Sequence, residues 1–182
     1  MTFRSVAEVL EIIGGTHTEL VQEVEGLADE QLHFRPSDDC WTIAEIVEHV
    51  AIVQEGMGKI TSKLVREAEA AGKQASPDRT FEPVSTGFVP SRSSLRLQAP
   101  SNVRPVGGIP IPTSLDKLRI DYDRIREMRP RIEAVDIGAF TFPHPAFGAL
   151  TGYQWLGLLG VHENRHIEQI REIKSAAGFP PA

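Results

Sequence analysis

Residues 151–173 have the sequence TGYQWLGLLGVHENRHIEQIREI, which predicts one long amphipathic helix. Its start is defined by Thr151 and Gln154, the Thr-x-x-Gln capping box in which each side chain bonds the other's free backbone N–H. Large apolar residues then recur mostly at spacings of three and four, at Trp155, Leu158, Leu159, Ile167, Ile170 and Ile173. His162 and His166 lie one turn apart on this apolar side, separated by about 40° around the axis. The segment therefore presents two imidazoles to the interior of the protein.

Three more segments have helical periodicity. The first covers residues 5–27, where the glycine pair at 14–15 lowers helix propensity and permits a kink. The second covers residues 42–71 and opens on a Thr-x-x-Glu capping box. The third starts at Ser114, and Pro130 should kink it or end its regular part, because proline lacks the N–H that a helix interior needs. No segment has a convincing strand pattern, so the sequence predicts an all-α protein.

Residues 71–114 between the second and third helices have a different composition. They hold seven of the 13 prolines together with seven serines, and they show no sustained helical period. Their five cationic and two acidic side chains give a charge of +3, which leaves about −9 for the rest of the chain. We expect an irregular connector that crosses the acidic body; a lid over an active site is the alternative.

The link lengths select a topology for the four predicted helices. Short links reverse the chain direction, whereas a connector of this length can return along a whole helix and start the next one parallel to the last. The prediction is a four-helix bundle with up-down-down-up topology and a long irregular crossover between the second and third helices. The chain of 182 residues, 41% of them hydrophobic, fits a single domain over residues 1–182.

Composition excludes several functions. The net charge of −6 disfavours binding to nucleic-acid phosphates, since counterion release requires clustered cationic side chains. No apolar stretch approaches the ~20 residues that span a bilayer. Cys40 is the one cysteine and cannot form an internal disulfide, and acidic residues interrupt the N-terminal apolar run that a signal peptide would need. We expect a cytoplasmic protein that acts on a small molecule and binds neither nucleic acid nor membrane.

His49 on the second helix completes a candidate metal site. It follows Ile46 by three residues and precedes Val53 by four, so it points at or beside the core. One histidine in such a position is usually a hydrogen-bonded core residue, but His49, His162 and His166 together form a ligand set. Three neutral imidazoles suit zinc, nickel or iron, and they leave coordination positions open for water and substrate.

The letters His162-Glu163-Asn164-Arg165-His166 also match the His-Glu-x-x-His motif of zinc proteases. The extended protease motif then needs a glycine and a third histidine, at positions that this chain fills with Gln169 and Glu172. The third ligand must therefore come from upstream, and a protease is disfavoured.

Three segments together resemble the DinB-like (DinB/YfiT) superfamily of metal-dependent enzymes. They are WTIAEIVEH at 41–49, HPAFGALT at 144–151 and HENRHIEQI at 162–170. The resemblance implies an up-down-down-up bundle, a divalent metal held by His49, His162 and His166, and a homodimer. The superfamily includes hydrolases and transferases that use bacillithiol or mycothiol, so a low-molecular-weight thiol is a candidate second cofactor.

Other residues are candidates for supporting roles. His17 faces the bundle interior and is a candidate fourth ligand or partner of a ligand, although a hydrogen-bonded core residue is the favoured interpretation. Gln169 follows His166 by three residues and could hydrogen-bond a ligand. Glu163 and Glu48 are turned about 100° from the neighbouring histidines, which predicts solvated or ion-paired side chains. Glu163 is nevertheless the first candidate for a general base.

Two functions follow from this site. In the first, the metal acts as a Lewis acid that lowers the pKa of a water or a thiol, and the protein is a hydrolase or a thiol S-transferase for a small molecule. Arginines of the connector would suit an anionic substrate. In the second, the metal is structural or vestigial and the protein is a non-catalytic, stress-related binding module.

Overall fold

The computed structural model describes residues 3–76, 79, 81 and 99–181. The helices are α1 (Val6–Val24), α2 (Asp29–Leu32), α3 (Ile43–Ala70), α4 (Ile111–Glu127), α5 (Arg129–Ala134) and α6 (Gly152–Lys174). Two 3₁₀ helices, Ser101–Val103 and Ile137–Ala139, and two strands, β1 (Thr141–His144) and β2 (Gly148–Thr151), complete the described elements. Most of the predicted connector, residues 77–78, 80 and 82–98, lies outside the described residues.

The four long helices α1, α3, α4 and α6 form the predicted bundle. α1 and α6 are parallel, because Thr16 bonds Glu163 at 2.9 Å and Glu23, further along α1, bonds Arg171 at 2.8 Å. α3 and α6 are antiparallel, because Gln54 bonds Glu163 at 3.4 Å while His49, earlier in α3, contacts His166, later in α6. These directions agree with the up-down-down-up prediction.

The helices α3 and α4 are parallel. Glu55 forms an ion pair with Lys117 in the first half of α4, and Glu69 forms one with Arg131 in α5, which follows α4 in the chain. The long crossover therefore starts α4 in the direction of α3, as its length predicted.

Both predicted capping boxes are confirmed. The backbone N–H of Glu45 donates to Thr42 Oγ1 at 3.2 Å, and that of Thr42 donates to Glu45 Oε2 at 2.8 Å. The same exchange joins Thr151 and Gln154 at 2.9 and 3.3 Å. The starts of α3 and α6 are thus encoded locally, and the side-chain faces of both helices follow from those starts.

Several element boundaries differ from the prediction. α1 continues through the glycine pair as one helix and ends at Val24. α4 begins at Ile111, before the predicted Ser114, because Pro112 lies in its first turn, where a missing N–H costs no hydrogen bond. Pro130 lies in the first turn of α5, so the prediction that it ends the regular part of the third helix is confirmed.

The prediction that no segment forms a strand is wrong for residues 141–151. Residues 141–151 form an antiparallel hairpin in which Thr141 pairs with Thr151 and His144 pairs with Gly148. Gly148 takes a φ of +72°, which favours glycine and closes the turn. Each strand has four residues, too few for an alternating pattern to be recognised in the sequence.

The core consists of two apolar clusters stacked along the bundle. On α1 the first cluster ends at Ile13 and the second begins at Leu20; on α6 the first ends at Leu159 and the second begins at Ile167. Polar side chains lie in or next to the interval between the clusters, and we call them the polar layer: Thr16, His17, His49, Gln54, Asp121, Tyr122, His162, Glu163 and His166. Among the described residues, no helix is long and apolar enough to cross a membrane.

Gly14 shows why a helix interior here contains glycine. A Cβ at Gly14 would lie 2.4 Å from the hydroxyl oxygen of Tyr122, whereas a Cβ at Gly15 would meet nothing within 4 Å. We expect Gly14→Ala to lower the free energy of unfolding by about 1–3 kcal/mol through overpacking. Gly15→Ala, the matched control, should raise it by up to about 1 kcal/mol, because alanine favours the helix. Urea unfolding measures both, and equal effects would contradict this packing.

Candidate metal centre

His49, His162 and His166 converge within the polar layer. Each offers a ring nitrogen, and these nitrogens all lie within 4.8 Å of one another. The Nε2 atoms of His162 and His166 are 3.2 Å apart, and the ring of His49 lies 4.8 Å from that of His166. The structure thus brings together the three residues that the sequence named as ligands.

The environment of these histidines keeps them uncharged at neutral pH. Burial, together with the neighbouring imidazole of His49 and the guanidinium of Arg165, lowers the pKa of His162 to about 3. Burial likewise lowers the pKa of His166 well below its usual value, with His162 and His49 contributing, and it lowers the pKa of His49. Because neutral imidazole is the form that binds metals, the three side chains are available as ligands without losing a proton.

Hydrogen bonds determine which nitrogen of each ring is free. His49 Nδ1 lies 2.6 Å from the carbonyl oxygen of Val103, and His166 Nδ1 lies 2.7 Å from the side-chain oxygen of Gln169. Since these oxygens only accept, both Nδ1 atoms carry the proton and donate it. The lone pairs of His49 and His166 are therefore on Nε2, the arrangement that metal sites use to orient their ligands.

The spacing of His162 and His166 fits a divalent metal. Two imidazoles on one tetrahedral ion, with bonds of about 2.0–2.1 Å, place their nitrogens about 3.3 Å apart. The 3.2 Å between the Nε2 atoms of His162 and His166 matches this spacing. In the described part of the chain no fourth histidine, cysteine or carboxylate joins the cluster. Three protein ligands are typical of catalytic rather than structural zinc sites, because a position stays open.

Gln169 lies against one of the three clustered histidines, whereas His17 lies against Glu163. Gln169 contacts His166 directly, in the supporting position that its spacing suggested. His17 lies against Glu163, with its Nδ1 3.4 Å from Oε1, and its ring stacks on Tyr122 at 5.9 Å. His17 is therefore a neighbour of the carboxylate and is not one of the three clustered histidines.

Glu163 is fully buried, contrary to the expectation of a solvated side chain, and His17 is its ion-pair neighbour. Its Oε2 accepts hydrogen bonds from Thr16 at 2.9 Å and Gln54 at 3.4 Å, whereas Oε1 accepts none within the described chain. The carboxylate and His17 line a cavity of about 10 Å³, which has room for about one water molecule. None of the described hydrogen-bond partners of Glu163 is one of the three histidines.

Sequence reasoning missed three neighbours of the site. Glu48 was expected at the surface but is buried, because it accepts backbone hydrogen bonds from Val106 and Gly107. The ring of Trp41 lies 4.8 Å from that of His49, and Val103 supplies the carbonyl described above. Trp41 lies about two helical turns before His49 in the sequence, a spacing that could have suggested its contact. Nothing in the sequence pattern points to residue 103.

The chain matches the family model of the DinB superfamily over residues 13–170. It belongs to that superfamily. YuaE of Bacillus subtilis strain 168, an uncharacterized protein, is 29% identical to this DinB superfamily member over 168 residues, which cover 91% of this chain and 96% of YuaE.

A solved structure has the same fold as this DinB superfamily member. YfiT from Bacillus subtilis superposes with a TM-score of 0.60 at 17% identity, over 98% of this chain and 92% of that one. It is described as a probable metal-dependent hydrolase with an unusual four-helix bundle topology. At this identity the likeness establishes the fold, and the site has to be argued from the residues above.

We expect His49→Ala and His162→Ala each to abolish most metal binding, because two imidazoles seldom hold a divalent ion against water. His33→Ala is the control, since His33 is an exposed histidine that bonds Asp29. Elemental analysis after identical purification measures the metal content. Full metal content in His49→Ala would remove His49 from the site.

Proposed function

We propose that the protein is a metal-dependent hydrolase that acts on a small molecule. The observation that carries this proposal is the convergence of three uncharged imidazoles, whose ligand nitrogens lie within 4.8 Å of one another and of which His49 and His166 have their lone pairs on Nε2. Such a site, with three protein ligands, leaves room for water and substrate. The hydrolase description of YfiT, a protein of the same fold, supports the same reaction class.

The chain's own residues supply the conditions for hydrolysis. A divalent ion, when bound, contributes Lewis acidity that makes water a nucleophile near neutral pH. His49, His162 and His166 would hold it, while Val103 and Gln169 fix the ring orientations of two of them.

Arg165 favours an anionic substrate. This half-buried guanidinium lies close enough to lower the pKa of all three histidines. Of the connector arginines that the sequence offered for this role, Arg92 and Arg96 lie outside the described residues, and Arg104 donates to the carbonyl oxygen of Ala99.

Glu163 is the proposed general base. Thr16 and Gln54 hold one carboxylate oxygen, and the other accepts no hydrogen bond within the described chain, so an acceptor position is available for a proton. The small cavity beside that oxygen can admit one water molecule. These features support a role in proton transfer through water, although the carboxylate is not in hydrogen-bond contact with the histidines.

The proposal predicts metal-dependent turnover of anionic esters or amides without added thiol. Wild-type protein with zinc, nickel or iron, the stripped protein and Glu163→Gln are compared on those substrates. Glu163→Gln should retain the metal and lose at least about tenfold in kcat, because general base catalysis contributes about 10²–10⁴-fold. Glu168→Gln is the matched control on α6, since Glu168 bonds Arg171 at the surface.

The same panel distinguishes the alternatives. Turnover of electrophiles only with bacillithiol, mycothiol or glutathione would replace hydrolysis by thiol transfer. Metal binding without turnover on either panel would favour the non-catalytic binding module. Full activity in Glu163→Gln would remove Glu163 as the base while leaving the metal centre in place.

Removal of the metal should leave a folded helical protein. Two apolar clusters already form a core, unlike a small zinc domain whose folding depends on the ion. Circular dichroism of stripped protein should show a cooperative thermal transition. Metal at a thousand times its dissociation constant should then add about 4 kcal/mol to the native state and raise the melting temperature. Loss of helix on stripping would indicate a structural metal instead.

The homodimer and the cytoplasmic location stay predictions of the sequence. Light scattering coupled to gel filtration would establish the oligomeric state, and a dimer should have twice the 20.1 kDa mass of the chain.

A further inference from the structure

Residues 103–107, which we call the strap, attach to α3 at two adjacent side chains. His49 donates to the carbonyl oxygen of Val103 at 2.6 Å. Glu48 accepts from the backbone N–H of Val106 at 2.8 Å and from that of Gly107 at 3.1 Å, one carboxylate oxygen for each. One end of the strap is therefore fixed by a candidate metal ligand, and the other by the residue that precedes it.

The burial of Glu48 and the backbone conformation of the strap both favour this attachment. Glu48 is 4% exposed, and its described hydrogen-bond partners are these two backbone N–H groups. A buried carboxylate is costly unless it is hydrogen-bonded, and bonds to a charged acceptor are about twice as strong as neutral ones. Consecutive N–H groups turned toward one anion form a nest. Gly107 and the next glycine adopt φ of +80°, a conformation that side chains rarely tolerate.

The side chains of the strap contribute little to its attachment. Val106 is 84% exposed, so its backbone N–H, and not its isopropyl group, makes the contact with Glu48. Docking of the strap therefore depends on Glu48, and the position of the Val103 carbonyl depends on docking. That carbonyl in turn keeps the proton of His49 on Nδ1 and the lone pair on Nε2.

We propose that Glu48 is a positioning residue of the metal centre, acting through the strap on His49. Docking of the strap and binding of the metal are then coupled. Because such coupling is reciprocal, the factor by which a docked strap raises metal affinity is the factor by which metal favours docking. The inference rests on the metal centre of the proposed function, and it holds whichever reaction that centre catalyses.

Four variants distinguish an effect of strap docking on metal binding from an effect of the Glu48 charge. Glu48→Gln removes the charge and one acceptor oxygen. Val106→Pro keeps the charge but removes one of the two N–H groups that Glu48 binds. Val106→Ala keeps the N–H and controls for the loss of the side chain. Glu67→Gln makes the same charge change as Glu48→Gln at a surface position of α3, where Glu67 pairs with Lys63.

The zinc dissociation constant, measured by competition with a chromophoric chelator, is the first readout. We expect Glu48→Gln and Val106→Pro each to weaken zinc binding about 10–100-fold, the usual effect of losing a group that orients a ligand. Val106→Ala and Glu67→Gln should bind zinc like wild type. Circular dichroism establishes that each variant is folded, and Val106→Pro, at a surface position, tests the proposal even where Glu48→Gln does not fold.

Hydrogen exchange of the strap amides is the second readout. A purely structural role of Glu48 would not make the protection of these amides depend on zinc. In wild type, zinc should slow exchange of the Val106 and Gly107 amides. In Glu48→Gln this zinc-dependent protection should disappear, although the helices stay protected.

Other results would overturn the proposal. Weak zinc binding in Glu48→Gln with normal binding in Val106→Pro would mean that the carboxylate acts by its charge and not through the strap. Wild-type zinc affinity in both Glu48→Gln and Val106→Pro would refute the positioning role of Glu48 and leave the proposed function intact. Failure of wild type itself to bind zinc, nickel or iron would refute both.

Discussion

A layer of polar side chains buried between two apolar clusters is the constraint on which this structure depends. Polar groups removed from water must find partners, and uncharged or hydrogen-bonded forms are favoured there. The layer meets this requirement in two ways. Burial lowers the pKa of the three clustered histidines, His49, His162 and His166. The carboxylate of Glu163 is held by Thr16 and Gln54 from two other helices.

One helix divides this layer into two sides. His162 and Glu163 are consecutive on α6, so their side chains point about 100° apart. The histidine side faces α3, where His49 completes the cluster, and it receives its outer hydrogen bonds from Gln169 and from the strap. The carboxylate side contacts Thr16 and His17 on α1 and Gln54 on α3, and its cavity is also lined by α4. The histidine cluster and the carboxylate therefore lie on different sides of the same helix.

Local rules were enough to predict the bundle, because two capping boxes and regular apolar spacing define α3 and α6 and the connector length sets their neighbours. The histidines followed from the same spacing. Contacts that depend on irregular backbone could not be predicted from this spacing. The Val103 carbonyl and the N–H groups held by Glu48 come from a segment without periodicity, and a hairpin of four-residue strands has too few positions to alternate. The direction of Glu163 was missed because helix angle alone does not show which neighbouring helix covers a side chain.

Anomalous diffraction from crystals grown with zinc, recorded on both sides of the zinc absorption edge, tests the central claim most directly. The account predicts one strong site with His49, His162 and His166 as its protein ligands, each at the roughly 2.0–2.1 Å that zinc–imidazole bonds require. A zinc ion held instead by Glu163 and His17, or no ordered zinc between α3 and α6, would contradict it.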